Sequence, residues 1–504
     1  MMFFLAIAPI MVLLSLLLFF RTSAGKAGAA SFLSAALVAV TFFGLDIMGL
    51  AVSVSKGITL ALYVALIITA AIYLYNVVDD LKAVDVIGEH LVHHIRDPLV
   101  LFILMAWLFS SFLQGIAGFG VPVAIVAPIL VRLGYNPLLS VAAVLLGHSW
   151  SISFGSMGSS LFALSLVTSL PARDLAFWMG VYAITALFFT GFGVLWLFGG
   201  VSAVRRGSRY VLVGGTGVTL SLFAVIFLGV TSLIGLISTI LGIAVFFEYY
   251  RRNNNRRPEE PPRNEMGFLE AGLPYILIAF LSIGLQFVPV SIPLLAFDFP
   301  AYETGLGFYV KSVSDFAAVK LLRHPAPIIF SCALLSLFYY RRRNLWHEKR
   351  FFPVFGITVK RCVPTFVSLV FLVSTATIMM GSGMTEKIAL DVASFTGPSY
   401  PLFAPFLGIL GAFITGSNTN SNVIFGALQQ TIAETLNVNS TAMCGVQSIG
   451  GSAGCAVGPT QVLLGTSSTG LQGEESLIYK ALVIKVLFLG LLLGLANVLL
   501  LQLV

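Results

Sequence analysis

Apolar runs long enough to cross a bilayer follow one another along almost the whole chain, and charged residues fall mainly in the short stretches between them. Such runs must satisfy their own backbone hydrogen bonds once out of water, which a helix does within a single segment. With 58% hydrophobic and only 10% charged residues among 504, a soluble fold is excluded, and the chain reads as an all-α polytopic membrane protein.

Candidate spans run 3 to 20, 28 to 51, 57 to 78, 136 to 170, 175 to 199, 210 to 229, 230 to 247, 267 to 287, 325 to 340, 364 to 382, 440 to 465 and 479 to 504, twelve in all. Met1 to Phe20 has neither a basic start nor a small-residue cleavage site and reads as a retained first span. Two further apolar stretches, 98 to 131 and 401 to 436, are interrupted by Gly, Ser and Asn clusters that leave arms too short for spans. Each reads as a re-entrant hairpin that enters and leaves on one side.

Lys and Arg accumulate on the cytoplasmic side of membrane proteins, which tests this topology. Threading twelve crossings collects 20 of the 28 basic residues on one side, among them Lys26, Arg132, Arg205, Arg206 and the loops 251 to 263 and 341 to 361. Both termini are then outside a plasma membrane. The net charge of +7 is thus topology control, with no nucleic-acid partner implied. Cys332, Cys362, Cys444 and Cys455 are too scattered for a disulfide framework or metal site. Residues 79 to 97 space Leu81, Val84, Ile87, Leu91 and Ile95 as an interfacial amphipathic helix; His90, His93 and His94 lack the acidic or cysteine complement of a metal site.

Residue n set beside residue n+301 brings "FLQGIAGFG" against "FITGSNTNS", Asn136 against Asn437, and "GHSWSISFGSMGSS" against "SIGGSAGCAVGPTQ". The shared plan is a hairpin, a short loop, then a helix broken near its centre. Seven crossings separate the hairpins, so the second enters from the opposite face, giving an inverted repeat. Residues 1 to 200 hold the first repeat (hairpin 98 to 131, broken helix 136 to 170), 201 to 266 the connecting spans and basic loop, and 267 to 504 the second repeat (hairpin 401 to 436, broken helix 440 to 465).

Irregular backbone at membrane depth has to be buried in protein or line a wet cavity. Turns at Gly115 to Gly120 and after Asn422, with breaks near Gly155 and Pro459, would aim helix N-termini and free N–H groups at the midplane, a setting for an anion. No Lys or Arg sits in either tip or break, so a small, singly charged anion is expected.

"FLQGIAGFGVPVAIVAPILVRLGYNPL", "FLGILGAFITGSNTNSNVIFGALQ" and "GGSAGCAVGPTQ" followed by "STGLQGEE" resemble the signature blocks of the lactate permease family, which carries lactate and glycolate with protons. The resemblance extends over most of the chain and implies a secondary transporter without a cofactor, with an elevator-type dimer among its relatives' habits. It also implies that relatives usually carry glutamate at Gln114, commonly aspartate at Asn418 and lysine at Cys455, all replaced here by neutral side chains. His148, where relatives more often have asparagine, is the candidate proton relay, since its unperturbed pKa is about 6.5.

The candidate substrate-binding residues are Gln114, Gly115, Gly118, Phe119 and Gly120 at the first tip; Ser149, Ser151 and Ser153 in the first break; Gly416, Ser417, Asn418, Thr419, Asn420, Ser421 and Asn422 at the second tip; and Ser448, Gly450, Gly451 and Ser452 in the second broken helix. Three rivals stand beside the monocarboxylate carrier: transport of another small anion such as a sulfonate or coupling to another ion, a channel, and a serine hydrolase built on "GGSAG" with His148.

Overall fold

A computed structural model describes residues 1–20, 22–118, 120–254, 266–288, 293–346 and 350–503. Most of the basic loop 251 to 263, and Phe119 among the candidate site residues, lie outside the described residues.

Helix α1 (Met2–Leu18) packs on α2 (Ala24–Phe42), where Ser31 Oγ donates to Pro9 O over 2.8 Å. Helix α3 (Ile47–Asp80) begins at Asp46, whose carboxylate accepts from Gly49 N at 2.7 Å. This moves the expected boundary between the spans 28 to 51 and 57 to 78: the chain turns at Gly44, with φ of +67°, and is capped by Asp46, leaving Lys56 inside a helix. Helix α4 (Ala83–His94) buries Val84, Ile87 and Leu91 on one face, as an amphipathic helix does.

The first interrupted stretch runs as α5 (Pro98–Ile103), a π-helical turn (Leu104–Phe109) and α6 (Ser110–Ile116), then returns as α7 (Val121–Arg132). Asp97 caps α5, accepting from Leu99 N at 2.9 Å. Tyr135, just past the returning arm, donates its hydroxyl to Pro98 O at 2.7 Å, so the two ends of this segment close on one another. Helix α8 (Pro137–His148) continues through a 3-10 stretch (Ser149–Phe154) into α9 (Gly155–Thr168), with Ser156, Met157 and Gly158 in left-handed conformation. Two L-residues there cost about 1–2 kcal/mol each, so surrounding contacts must hold them.

Helix α10 (Ala172–Phe227) is broken at Gly199 and Gly200, and α11 (Ile234–Asn253) and α12 (Phe268–Gln286) follow. Next comes a departure from the all-α expectation. Strands β1 (Pro293–Phe299), β2 (Tyr302–Glu303), β3 (Tyr309–Val310) and β4 (Val313–Lys320) form two antiparallel pairs, β1 with β4 and β2 with β3. Aromatic and β-branched residues favour the strands, and Gly307 at φ +82° permits the tight turn. Tyr302 fastens the excursion to the helices through Ser53 Oγ at 2.8 Å and Gly381 O at 3.3 Å.

Helices α13 (Pro325–Arg342), α14 (Phe351–Gly381) and α15 (Met384–Thr396) lead to the second interrupted stretch, α16 (Tyr400–Thr415) and α17 (Asn418–Thr435). These last two run back along each other: Tyr400 OH donates to Gln429 Oε1 at 2.9 Å, Gln429 Nε2 to Ala404 O at 3.1 Å, and Ser421 Oγ to Gly408 O at 2.9 Å. Helix α18 (Ser440–Cys455) breaks at Ala456 to Gly458 before α19 (Pro459–Ser468), and α20 (Glu475–Leu501) completes the bundle. Ten helical stretches among the described residues are long and apolar enough to cross a membrane.

Glycines set the closest seams. A Cβ on Gly408 would strike the Gln447 main chain, and one on Gly450 or Gly454 the main chain of Pro405 or Ile409, so α16 and α18 touch backbone to backbone. Ion pairs Asp97–Arg206 (3.5 Å), Asp80–Arg350 (3.2 Å) and Glu270–Arg343 (2.9 Å) gather basic residues on one end of the bundle.

Candidate transport site

Ser417 caps α17, accepting from Asn420 N at 3.3 Å, after Gly416 has turned the chain in left-handed conformation at φ +69°. That turn delivers Asn418 into the interior, where it is 2% exposed. Its Nδ2 donates to Ser153 Oγ at 3.0 Å and lies 3.3 Å from Ser452 Oγ and 3.4 Å from Ser448 Oγ. One turn on, Asn422 Nδ2 reaches Ser448 Oγ at 3.0 Å and Ser160 O at 3.0 Å. Ser153 Oγ closes the cluster, 2.6 Å from Ser452 Oγ and 2.9 Å from Ser448 Oγ. A single neutral network thus joins the second tip, the first broken helix and α18.

Three amide oxygens around this network have no partner among the described residues: Asn418 Oδ1, Asn422 Oδ1 and Gln447 Oε1. Gly451 leaves the space that the first of these fills, since a Cβ there would overlap it. Buried acceptors left unpaired are rare in settled interiors, and each calls for a partner such as water, an ion or a ligand.

The first tip reaches the same region by a different route. Gly118 N donates to Ser156 Oγ at 2.7 Å, which fixes the tip to the left-handed break of α9. The Gln114 amide lies against Gly118 and Gly155, and Gly120, at φ +84°, faces Gln461 and Leu464 of α19. The second tip meets α19 as well, because a Cβ on Gly416 would collide with Thr460. Both tips therefore converge on the helix breaks.

Not every candidate joins in. Ser149 and Ser151 donate to Leu146 O and His148 O, each at 2.8 Å, and so serve their own helix. Gly115 packs against the main chain of Gly235 and Leu236, and Gly450 against Pro405. Ser421 bridges to Gly408 O and to Gln447 Nε2, tying the hairpin arms to α18. The His148 ring bonds Val144 O through Nδ1 at 2.5 Å, in its own helix, with no bond to the serine cluster among the described residues.

A cavity of about 660 Å³ leads to Thr415, Gly416, Ser417, Thr419 and Asn420 at the second tip and to Thr460 and Gln461 of α19. Its outer wall is the start of α2 and the stretch Pro364 to Phe371 of α14, and Lys26 is the charged residue that lines it. The sequence pattern singles out neither Lys26 nor Gln461. Lys26 carries no local signal beyond being basic, and Gln461 is displayed only by the break at Gly458.

A family model for L-lactate permease matches residues 2–504. The chain belongs to the L-lactate permease family. It is 29% identical over 455 residues to the L-lactate permease of Streptococcus iniae, covering 86% of this chain and 91% of that one. It is 24% identical over 527 residues to the glycolate permease GlcA of Escherichia coli K12, covering 94% of this chain and 91% of that one. Among solved structures it is similar to the YdaH transporter of Alcanivorax borkumensis, with a TM-score of 0.44 and 17% identity, covering 85% of this chain and 84% of that one.

The permease is therefore a multi-pass membrane transporter and not an enzyme. The "GGSAG" pattern has an ordinary place in it: Ser452 sits within α18, not on a strand-to-helix elbow, and its hydroxyl meets Ser153 and Asn418 rather than a histidine. Gln114, Asn418 and Cys455 adjoin one short segment. Gln114 touches Gly155, Asn418 bonds Ser153, and Cys455 packs with Ile152 and Ala412. All three side chains are neutral.

Proposed function

We propose that this permease is a secondary carrier of a small monocarboxylate, lactate or glycolate, operating by alternating access around the converging tips. The observation that carries the reading is the neutral hydroxyl and amide network of Asn418, Asn422, Ser153, Ser448 and Ser452 beside two helix breaks. Helix termini and amides at such a place favour one negative charge, and among the described residues no cationic side chain bonds into the network to hold a second. The relatives named for L-lactate and glycolate supply the substrate class.

An inverted repeat is consistent with where the hairpins open. Asp97, at the open end of the first, pairs with Arg206 on the basic end of the bundle, whereas the tip of the second forms the floor of the cavity lined by Lys26. On this reading the basic end is cytoplasmic, both termini are outside the plasma membrane, twelve spans cross it, and the tips and breaks move together against the remaining helices of a dimer. The deciding experiment is counterflow of labelled lactate in proteoliposomes. Saturable exchange, inhibited by glycolate but not by succinate, is expected; inhibition by succinate alone contradicts a singly charged site.

Lys26 supplies the only formal charge along the cavity wall among the described residues and draws anions toward the tip from the basic end. Lys26→Gln is expected to raise the half-saturation concentration on that side about threefold at low salt, an effect that fades by about 0.5 M salt. An unchanged value at low salt would remove Lys26 from the path.

Proton coupling through His148 is the first reading for the driving ion. His148→Asn is then expected to abolish pH-driven accumulation while sparing counterflow, and retention of both rejects the relay. A second reading has its own observation: the unpartnered oxygens of Asn418, Asn422 and Gln447 are the neutral, hard ligands an alkali-metal ion takes. Under that reading a sodium gradient, not a pH gradient, drives accumulation.

A further inference from the structure

A second cavity, of about 590 Å³, lies between α4, α11 and α12, and none of the residues lining it is Lys, Arg, Asp or Glu. Its back wall includes Phe112 of α6 and Tyr275 of α12, whose ring centres stand 5.5 Å apart at 79°. Leu269 and Phe280, also in its wall, are 73% and 76% exposed, so the cavity is a groove that opens sideways onto the lipid-facing surface. Apart from its own helix backbone, a Cβ on Gly272 would meet only Ile276 Cδ1, at 3.9 Å, among the described residues, which leaves the groove unobstructed there. Between Ile237 and Phe247 the α11 wall rises about 15 Å, and between Phe268 and Ile283 the α12 wall rises about 22 Å. That is roughly the depth of one leaflet, half of a hydrocarbon core about 30 Å thick.

The groove has one polar end. There His90 stacks on Phe268 with ring centres 4.6 Å apart, and His94 Nδ1 bonds His90 O at 2.7 Å. Phe268 lies two residues before Glu270, the partner of Arg343, and Phe247 lies four before Arg251, so this is the basic end of the bundle. Arg343, Arg251 and Arg252 remain more than half exposed beside their carboxylates, which leaves guanidinium surface for a phosphate. Away from that end the walls offer water no set of polar partners, whereas a hydrocarbon chain supplies the dispersion contacts that facing apolar side chains need. We infer that this groove binds one acyl chain of a phospholipid from the leaflet at the basic end, with the chain against Phe112 and the phosphate among the arginines. The site bears on the first tip, because Phe112 lies six residues before Gly118 on the arm that carries it. It needs the membrane setting but no particular substrate, so it stands apart from the carrier reading.

The test uses phosphatidylglycerol carrying a diazirine near the end of one acyl chain, in proteoliposomes of the full-length protein, with adducts mapped by mass spectrometry after photolysis. Exposed positions on α20, such as Ile484, meet any bilayer chain and serve as the internal standard. Phe112 is only 4% exposed and faces the groove, so adducts there require a chain inside it. Wild type is expected to give adducts on α6 at or beside Phe112 as well as on α20. In Gly272→Trp, whose indole fills the groove and which favours helix over the native glycine, the α6 adducts are lost and the α20 adducts persist. Adducts on α20 without any on α6 in wild type overturn the assignment, as do α6 adducts unchanged in Gly272→Trp. Labelling of α6 by a diazirine fatty acid but not by the phospholipid overturns it too. A groove covered by a second copy would give no α6 adducts and a changed oligomeric state in Gly272→Trp, again against the proposal. Should the variant fail to fold, the comparison of α6 with α20 in wild type still decides.

Discussion

Asn418→Leu is expected to reduce lactate counterflow about 30- to 150-fold while the protein still inserts and purifies as a single species. Leucine has the branched shape and heavy-atom count of asparagine, though its methyl groups are bulkier, and it removes the donor that meets Ser153 at 3.0 Å, Ser452 at 3.3 Å and Ser448 at 3.4 Å. Losing two or three bonds of about 1 kcal/mol each, in a place closed to water, corresponds to that factor. The fold survives because the serine hydroxyls keep one another as partners, Ser153 Oγ lying 2.6 Å from Ser452 Oγ and donating to Ser448 O at 2.9 Å. Initial rates in proteoliposomes, with size-exclusion profiles for integrity, provide the check. A rate within about tenfold of wild type would make the network scaffolding.

Gly416→Val is expected to be as damaging, for a different reason. The residue sits at φ +69°, which costs a β-branched side chain about 1–2 kcal/mol, and its Cβ would overlap the Thr460 hydroxyl. The second tip must then leave the start of α19, or the turn must unwind, and transport falls to background in either case. Adding Thr460→Gly removes the collision but not the backbone strain, so the double variant should regain a substantial part of the rate. If the double variant stays silent while both proteins fold equally well, the contact between tip and α19 has no part in transport.

Much of this geometry has a local sequence cause. Gly120 and Gly416 turn the chain because glycine accepts left-handed backbone, and Ser417 caps the helix after the second turn; Gly458-Pro459 ends one helix and starts another. The β excursion between α12 and α13 has no comparable signal, because its apolar residues, from Pro293 to Lys320, are too few for a span and too irregular for a clear strand alternation. The start of α3 is equally hard to place from sequence, because Lys56 looks like a loop residue, yet in the fold its ammonium lies 5.8 Å from the Phe299 ring centre.

Within the site, local pattern and tertiary placement separate sharply. "SNTNSN" shows that polar groups lie at membrane depth, but only the fold reveals that Asn418 and Asn422 face Ser153 and Ser448 while Ser421 faces Gly408. Ser149, Ser151 and Ser153 look equivalent in "SWSIS", yet the 3-10 geometry turns the first two onto their own backbone. Gly450 and Gly454, four residues apart, pack helices; Gly451 between them makes room for the Asn418 oxygen. The gathering of Gln114, Asn418 and Cys455 around residues 152 to 155 has no sequence signal, because it depends on three separate helices meeting.

If substrate reaches the second tip through the cavity lined by Lys26 and is held there, a reporter on that tip must feel it. Ser417→Cys places a thiol on the tip at the cavity surface, while the native cysteines are buried. Labelling by a small charged thiol reagent in proteoliposomes measures its accessibility. The expected result is labelling that lactate blocks saturably, with half-protection at the concentration that half-saturates counterflow, and that succinate leaves unchanged. Labelling at the same rate in saturating lactate would mean that substrate does not bind at this tip.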